Sequence, residues 1–168
     1  DGVQVAILEQ SGVIGGVWRQ HANAFSRVNS SEPSYRLPVS SARRNSNHSH
    51  HSEILADVAR LVEQCALAAR IHLHARVELV ARAAGCDGWV LGGWRRAQRL
   101  RLASRMAVLC TNRRLGRPRP MALCGEGAFG GRVFRGLCGD VDGLQCAGAR
   151  VLILGMGAFA IENMRTSF

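Results

Sequence analysis

The sequence predicts an α/β fold in which a parallel sheet carries an antiparallel β-meander, and three observations predict it. VQVAILE, from Val3 to Glu9, is a nearly continuous run of β-branched and aliphatic residues. A second apolar run, Val151 to Leu154, leads directly into a glycine-bearing turn. Between them lie three short strand-like segments separated by turn residues rather than by helices. Strands buried on both faces read as continuous apolar runs and belong to parallel sheets, whereas short strands joined by turns belong to antiparallel ones.

Each element follows from its residues. Val3 to Glu9 is expected to be a buried parallel strand closed by an acid. Ser11 to Trp18 forms a glycine-containing loop, and Ser26 to His51, rich in Ser, Asn, Pro and His, lacks periodicity and reads as loop. Ser52 is placed as an N-cap, with Glu53 and Asp57 in the first turns and Ile54, Leu55, Val58, Leu61, Val62 and Cys65 at helical spacing; a helix to about Arg70 is predicted. Ile71 to Val80, Gly88 to Leu91 and Leu102 to Cys110 are the expected meander strands, with Gly85, Asp87, Gly92 and Gly93 as the turn residues between them. Arg113 to Pro120, with two prolines and a glycine, is a connecting loop. Val151 to Leu154 is a short strand, and Gly155 to Ala160 turns into a helix.

Composition narrows the function. A chain of 168 residues with 47% hydrophobic content can bury one domain's core. It has no apolar run of about 20 residues and no secretory signature, so a soluble protein, cytoplasmic by default, is expected. All 22 basic residues are Arg, and against 12 acids they leave a formal charge of +10, which suits anionic partners. Nine arginines lie between Arg95 and Arg119 with no acid among them. Nucleic acid is nevertheless disfavoured as a partner: aromatic residues are only 5%, and on a meander the stretch from Arg95 through Arg105 reads as a solvated face. The six cysteines form no C-x-x-C pair and are expected to be reduced, buried thiols. His48, His50 and His51 sit on a Ser/Asn-rich loop with no scaffold to fix metal geometry, so no metal site is predicted.

The sharpest motif is VLILGMGAFA, a strand entering G-x-G-x-x-A at Gly155, Gly157 and Ala160. Gly155 permits the tight turn, Gly157 admits a pyrophosphate close to the backbone, and Ala160 keeps the following helix near the strand. The helix N-terminus then offers free N–H groups to phosphates. The acid that would separate NAD from NADP is expected about 20 residues beyond the glycines, so these residues leave the two open. At the other end Glu9 closes the first strand, the position from which a carboxylate accepts both ribose hydroxyls in a doubly wound fold. Gly15 and Gly16 then allow positive φ beside a ligand, with Trp18 and Arg19 placed to cover it.

Glu9, Gly15, Gly16 and Trp18, then RVNSSEPSYRLP from Arg27 to Pro38, FGGRVFRG from Phe129 to Gly136 and finally GMGAFA, follow in order and approximate spacing. This series resembles the flavin-dependent monooxygenases of the flavin-containing and Baeyer–Villiger type. Phe129, Gly131 and Arg135 resemble that family's F-x-G-x-x-x-H signature, with Arg135 in the place of the His, and Cys110, Thr111 and Asn112 stand where the family has A-T-G.

The resemblance implies a two-dinucleotide-binding flavoprotein with a Rossmann-like parallel sheet, truncated at both ends. Residues 1–120 would be a partial FAD-binding domain with the meander at about 71–110, residues 121–150 an interdomain linker, and residues 151–168 the start of an NADP(H)-binding unit. Glu9 would hold the FAD ribose, Gly15, Gly16, Trp18 and Arg19 would line the FAD site, and Asn29 would lie near the flavin ring. Gly155, Gly157 and Ala160 would cradle the NADPH pyrophosphate. The implied reaction is FAD reduction by NADPH, then oxygen insertion into a small-molecule substrate through a flavin hydroperoxide. Because the family's first strand and its glycine motif are missing from this chain, it is expected to bind FAD poorly and to turn nothing over. A non-catalytic nucleotide-binding remnant and a basic, Arg-rich nucleic-acid-binding protein are the alternatives.

Overall fold

The computed structural model describes residues 2–31, 35–40, 44–85, 87–111, 121–136 and 140–167. Asn112, the loop from Arg113 to Pro120, Cys86, Cys138 and part of the Arg27 to Pro38 segment lie outside them. The chain is mixed α/β, with a two-stranded parallel sheet and a three-stranded antiparallel sheet. It divides into two compact units: Asp1–Gly15 with Ala59–Thr111, and Gly16–Val58 with Asn112–Phe168. The division falls within helix α2 (His51–Gln64).

In the first unit, β1 (Ile7–Leu8) pairs in parallel with β2 (Ile71–His72), Ile7 opposite Ile71 and Leu8 opposite His72. The pairing continues beyond the ladder, with the Glu9 N–H donating to His72 O at 3.0 Å and the Ala75 N–H to Glu9 O at 2.9 Å. The opening strand is therefore parallel, as expected, but it is neither long nor buried. Val3 and Val5 are exposed. With two residues of β2 as its neighbour, β1 has little to pair with.

The meander is formed by β3 (Ala75–Arg82), β4 (Trp89–Arg95) and β5 (Gln98–Ser104) in the order β3-β4-β5. Its strands are not bounded as the sequence suggested. The first expected strand is divided at His74, whose φ of 55° turns the chain between β2 and β3. The last ends at Ser104, leaving Met106, Val108 and Leu109 exposed outside the ladder.

Gly92 and Gly93 lie inside β4 rather than at a turn, and the reversal between β4 and β5 is made at Arg96, with φ 55°. The register explains Gly93. A bulge between Val77 and Leu79 brings Arg76 O to 2.0 Å from where a Gly93 Cβ would stand, so only glycine fits.

Helix α2 starts at His51, one residue before the expected N-cap. Glu53 reaches back to accept the His50 N–H at 2.8 Å, the carboxylate half of a capping box. It stops at Gln64 rather than Arg70. Ala66 adopts φ 49°, and the Leu67 N–H to Val62 O and Ala66 N–H to Glu63 O bonds, at 2.8 and 3.0 Å, close it as a Schellman motif. A 3-10 turn (Ala68–Arg70) then leads into β2.

The second unit holds α1 (Val17–Gln20), the first turns of α2, a 3-10 turn at Glu126–Ala128 and α3 (Ala158–Thr166). Val28, Ile54 and Val141 are its buried apolar side chains. Val151 to Leu154, expected as a strand, joins no ladder among the described residues, and Leu152 is 82% exposed. An apolar run becomes a buried strand only where another strand satisfies its backbone. The thiols of Cys65, Cys110 and Cys124 are free but exposed rather than buried, and Cys146 is half-buried. No helix among the described residues is long and apolar enough to cross a membrane.

Candidate functional site

Glu9 stands at the end of β1, half-buried. Its Oε1 accepts the Ser11 N–H at 2.7 Å, which orients the carboxylate at the strand tip. The loop that follows is held close to the turn before β3. Ser11 O accepts the His74 N–H at 3.0 Å, and a Cβ on Gly12 would stand 2.7 Å from the His74 ring. Gly15, at φ 118°, ends the N-terminal segment of this unit.

The remaining predicted site residues belong to the second unit. Gly16 has φ 51° and ψ −130° and precedes α1, so both members of the glycine pair adopt the positive φ that glycine allows. Trp18 donates its indole N–H to the Tyr35 hydroxyl at 2.9 Å, and the two rings meet edge to face at 5.8 Å. Arg19 and Asn29 are exposed.

The G-x-G-x-x-A segment forms the predicted turn into a helix. Gly155 has φ 134°, and a Cβ there would stand 3.7 Å from the Ala160 Cβ, the close approach that a small residue at 160 allows. Gly157 is the N-cap of α3 with extended backbone, and nothing lies within 4 Å of where its Cβ would be. No side chain caps this helix end, and an uncapped helix N-terminus leaves its first-turn N–H groups to solvent or an anion.

Around α3 the structure assembles residues that sequence reading left apart. Glu162, 8% exposed, accepts the Arg27 N–H at 3.1 Å and pairs with Arg165 at 2.7 Å. Thr166 accepts from the Asn23 amide at 3.3 Å. Asn163 donates to Gly136 O at 3.3 Å. One helix therefore holds both the segment following Trp18 and the end of the FGGRVFRG stretch.

Arg135, at the place of the signature His, is engaged locally. Its guanidinium pairs with Glu126 at 2.8 Å, and Asp140 accepts the Arg135 and Gly136 N–H groups, each at 3.0 Å.

Polar contacts join Asn23 and described residues of the stretch from Ser26 to His51. Ser26 and Asn23 are buried and bond each other, and Ser49, fully buried, accepts the Val28 N–H through its carbonyl at 2.9 Å. The density of Ser and Asn was the available signal, since both bond the backbone locally. Their distant partners leave no trace in local spacing.

The histidines take structural roles. His48 Nδ1 lies 3.0 Å from Val28 O, and His50 lies 2.9 Å from Ala24 O through Nε2 and 2.8 Å from the Ser52 hydroxyl through Nδ1. His51 Nδ1 is buried without a hydrogen-bond partner. Burial lowers the His51 pKa below the usual 6.5; the charges of His50 and Arg19 add to this, and Asp142 opposes it. No cluster among the described residues could hold a metal ion.

Comparison of the chain with known protein families, with curated proteins and with solved structures gives no match.

Proposed function

We propose that this chain carries the nucleotide-binding junctions of an FAD-dependent, NADPH-using monooxygenase-like oxidoreductase, one junction at Glu9 and the other at Gly155 to Ala160. The observation that carries this reading is the start of α3. An uncapped helix N-terminus follows two glycines, the second with open space in place of its Cβ, as a pyrophosphate site requires. The parallel pairing of β1 with β2, with α1 and α2 between them in the chain, supports it, since parallel strands need a crossover and a doubly wound sheet makes it through helix.

Glu9 fits a ribose. Its carboxylate sits at a strand tip, with one oxygen held by the Ser11 N–H and the positive-φ glycines following in the chain. Bound FAD would supply the redox and oxygen chemistry, while the residues of the chain would hold the nucleotides. Arg135 favours a second reading as well: its pairing with Glu126 gives that position a structural role, as expected of a nucleotide-binding remnant without turnover.

Titration of the chain with NADPH, followed by cofactor fluorescence, tests the proposal. Saturable binding weakened at least about tenfold by Gly157→Val supports it, because a side chain there would occupy the space the phosphates need. Absence of binding by the unmodified chain would remove it. NADPH oxidation with added FAD then distinguishes an enzyme from a remnant.

A further inference from the structure

The register of the meander places a basic and aromatic surface on one face of the sheet. Arg76 on β3 and Arg99 on β5 stand directly opposite Trp94 on β4, one on each side. The Arg99 guanidinium lies 5.0 Å from the Trp94 ring centroid, and Trp94 is exposed. Two residues along β4 on the same face is Gly92, and opposite Gly92 stand Arg101 on β5 and Leu79 on β3.

A Cβ on Gly92 would meet only the Leu79 side chain, at 3.7 Å. The face therefore has a shallow trough, floored by glycine and bordered by Trp94, Leu79 and Arg101. Glu78, in the bulge and 3.5 Å from Arg76, is the acid nearest this surface in the sequence.

The other face differs. Trp89, Leu91, Leu100 and Leu102 alternate with the residues above and are half-buried. Arg82, over the Trp89 ring at 4.6 Å, and Arg95 stand on this other face, while strand alternation sorts Arg76, Arg99 and Arg101 to the face of Trp94, and the exposed Trp94 between Arg76 and Arg99 adds what charge alone does not, a flat ring beside a glycine.

We propose that this face is a binding surface for single-stranded nucleic acid, with a base seated over Gly92 against Trp94 and the flanking phosphates on Arg76, Arg99 and Arg101. A ring on a sheet surface flanked by guanidinium groups is what unpaired bases stack on. A duplex keeps its bases stacked inside and offers this trough nothing but phosphates. The net charge of +10 draws the polyanion in. This surface is independent of the nucleotide junctions.

Fluorescence anisotropy with a labelled twelve-nucleotide deoxythymidine strand tests the proposal on the full chain. With three phosphates engaged, log K should fall with log salt at a slope of about −2. Trp94→Ala and the pair Arg99→Ala/Arg101→Ala should each weaken binding about tenfold, and Trp94→Phe should retain it. Gly92→Val, which changes no charge and which the 3.7 Å contact admits, should weaken binding about fivefold by filling the trough. The control pair Arg44→Ala/Arg150→Ala, which removes equal charge elsewhere, should change it less than about twofold. The proposal is overturned if the strand does not bind, if the control pair costs as much as Arg99→Ala/Arg101→Ala, if Gly92→Val binds normally, or if duplex DNA or phosphatidylserine vesicles bind as tightly as the single strand.

Discussion

Glu162 on α3 accepts the main-chain N–H of Arg27 at 3.1 Å, a bond between positions 135 residues apart. The same carboxylate holds Arg165 at 2.7 Å and is buried, so it joins a helix to a loop whose described residues form no ladder beyond the bridge from Arg27 to His50. Glu162→Ala leaves the Arg27 N–H without its acceptor and the Arg165 guanidinium with only Arg27 O, at 3.4 Å, and should destabilise the fold by about 1–3 kcal/mol. Glu162→Gln keeps one acceptor and should cost less. Urea denaturation of the two variants measures the difference, and equal losses would show that packing rather than the acceptor matters.

Gly136 is held at φ 67°, and a Cβ there would stand 2.0 Å from the Asn163 amide nitrogen. Gly136→Ala should therefore lose about 1–3 kcal/mol, partly from the left-handed backbone and partly from the collision. Adding Asn163→Ala removes the collision together with the Asn163 bond to Gly136 O, a loss that the single Asn163→Ala variant measures. The double variant should regain part of the loss, read as a shift in the denaturation midpoint, and full recovery would mean that the backbone conformation costs nothing.

Adjacent glycines in β4 should behave in opposite ways. Gly93→Ala drives a methyl into Arg76 O at 2.0 Å, where the backbone must move, and should cost more than about 3 kcal/mol and loosen the meander. Gly92→Ala meets only ordinary contact and should be neutral or stabilising by about 0.5–1 kcal/mol, since glycine is costly within a strand. Hydrogen exchange of the β3 and β4 amides distinguishes the two outcomes.

This pair also shows what the sequence discloses. Two consecutive glycines after an apolar run read as a turn by any local rule, and only the bulge opposite, between Val77 and Leu79, makes Gly93 an interior residue. The meander itself was legible because strand-like runs recur at short intervals, and α2 was legible because Ile54, Val58, Leu61 and Cys65 repeat at helical spacing. Its end was not, because the Schellman closure uses Ala66 where glycine is the usual signal. The glycine turn into α3 was legible from spacing, yet Val151 to Leu154 was overread: an apolar run records a preference for burial and says nothing about whether a partner strand is there. Glu162 and Arg27 were invisible to local reading, as a contact across 135 residues must be.

The His51 environment predicts a pH dependence. Its folded pKa lies below the usual 6.5, chiefly through burial, so the unfolded chain binds the proton more readily. The stability His51 contributes is present above the unfolded value and is lost as pH falls through the lower, folded one. Urea midpoints at pH 7.5 and about pH 5 should differ more in the wild-type chain than in His51→Ala, in which this contribution is absent. A variant with an unchanged pH difference would assign the dependence to other groups.

Equilibrium dialysis of the full chain against FAD and against NADPH, each with Glu9→Ala and Gly157→Val, tests the two-junction account most directly. Weak FAD binding lost in Glu9→Ala but kept in Gly157→Val, together with NADPH binding that shows the reverse pattern, is the predicted result. If neither nucleotide binds, or if both variants weaken the same one equally, the two junctions do not serve separate nucleotides.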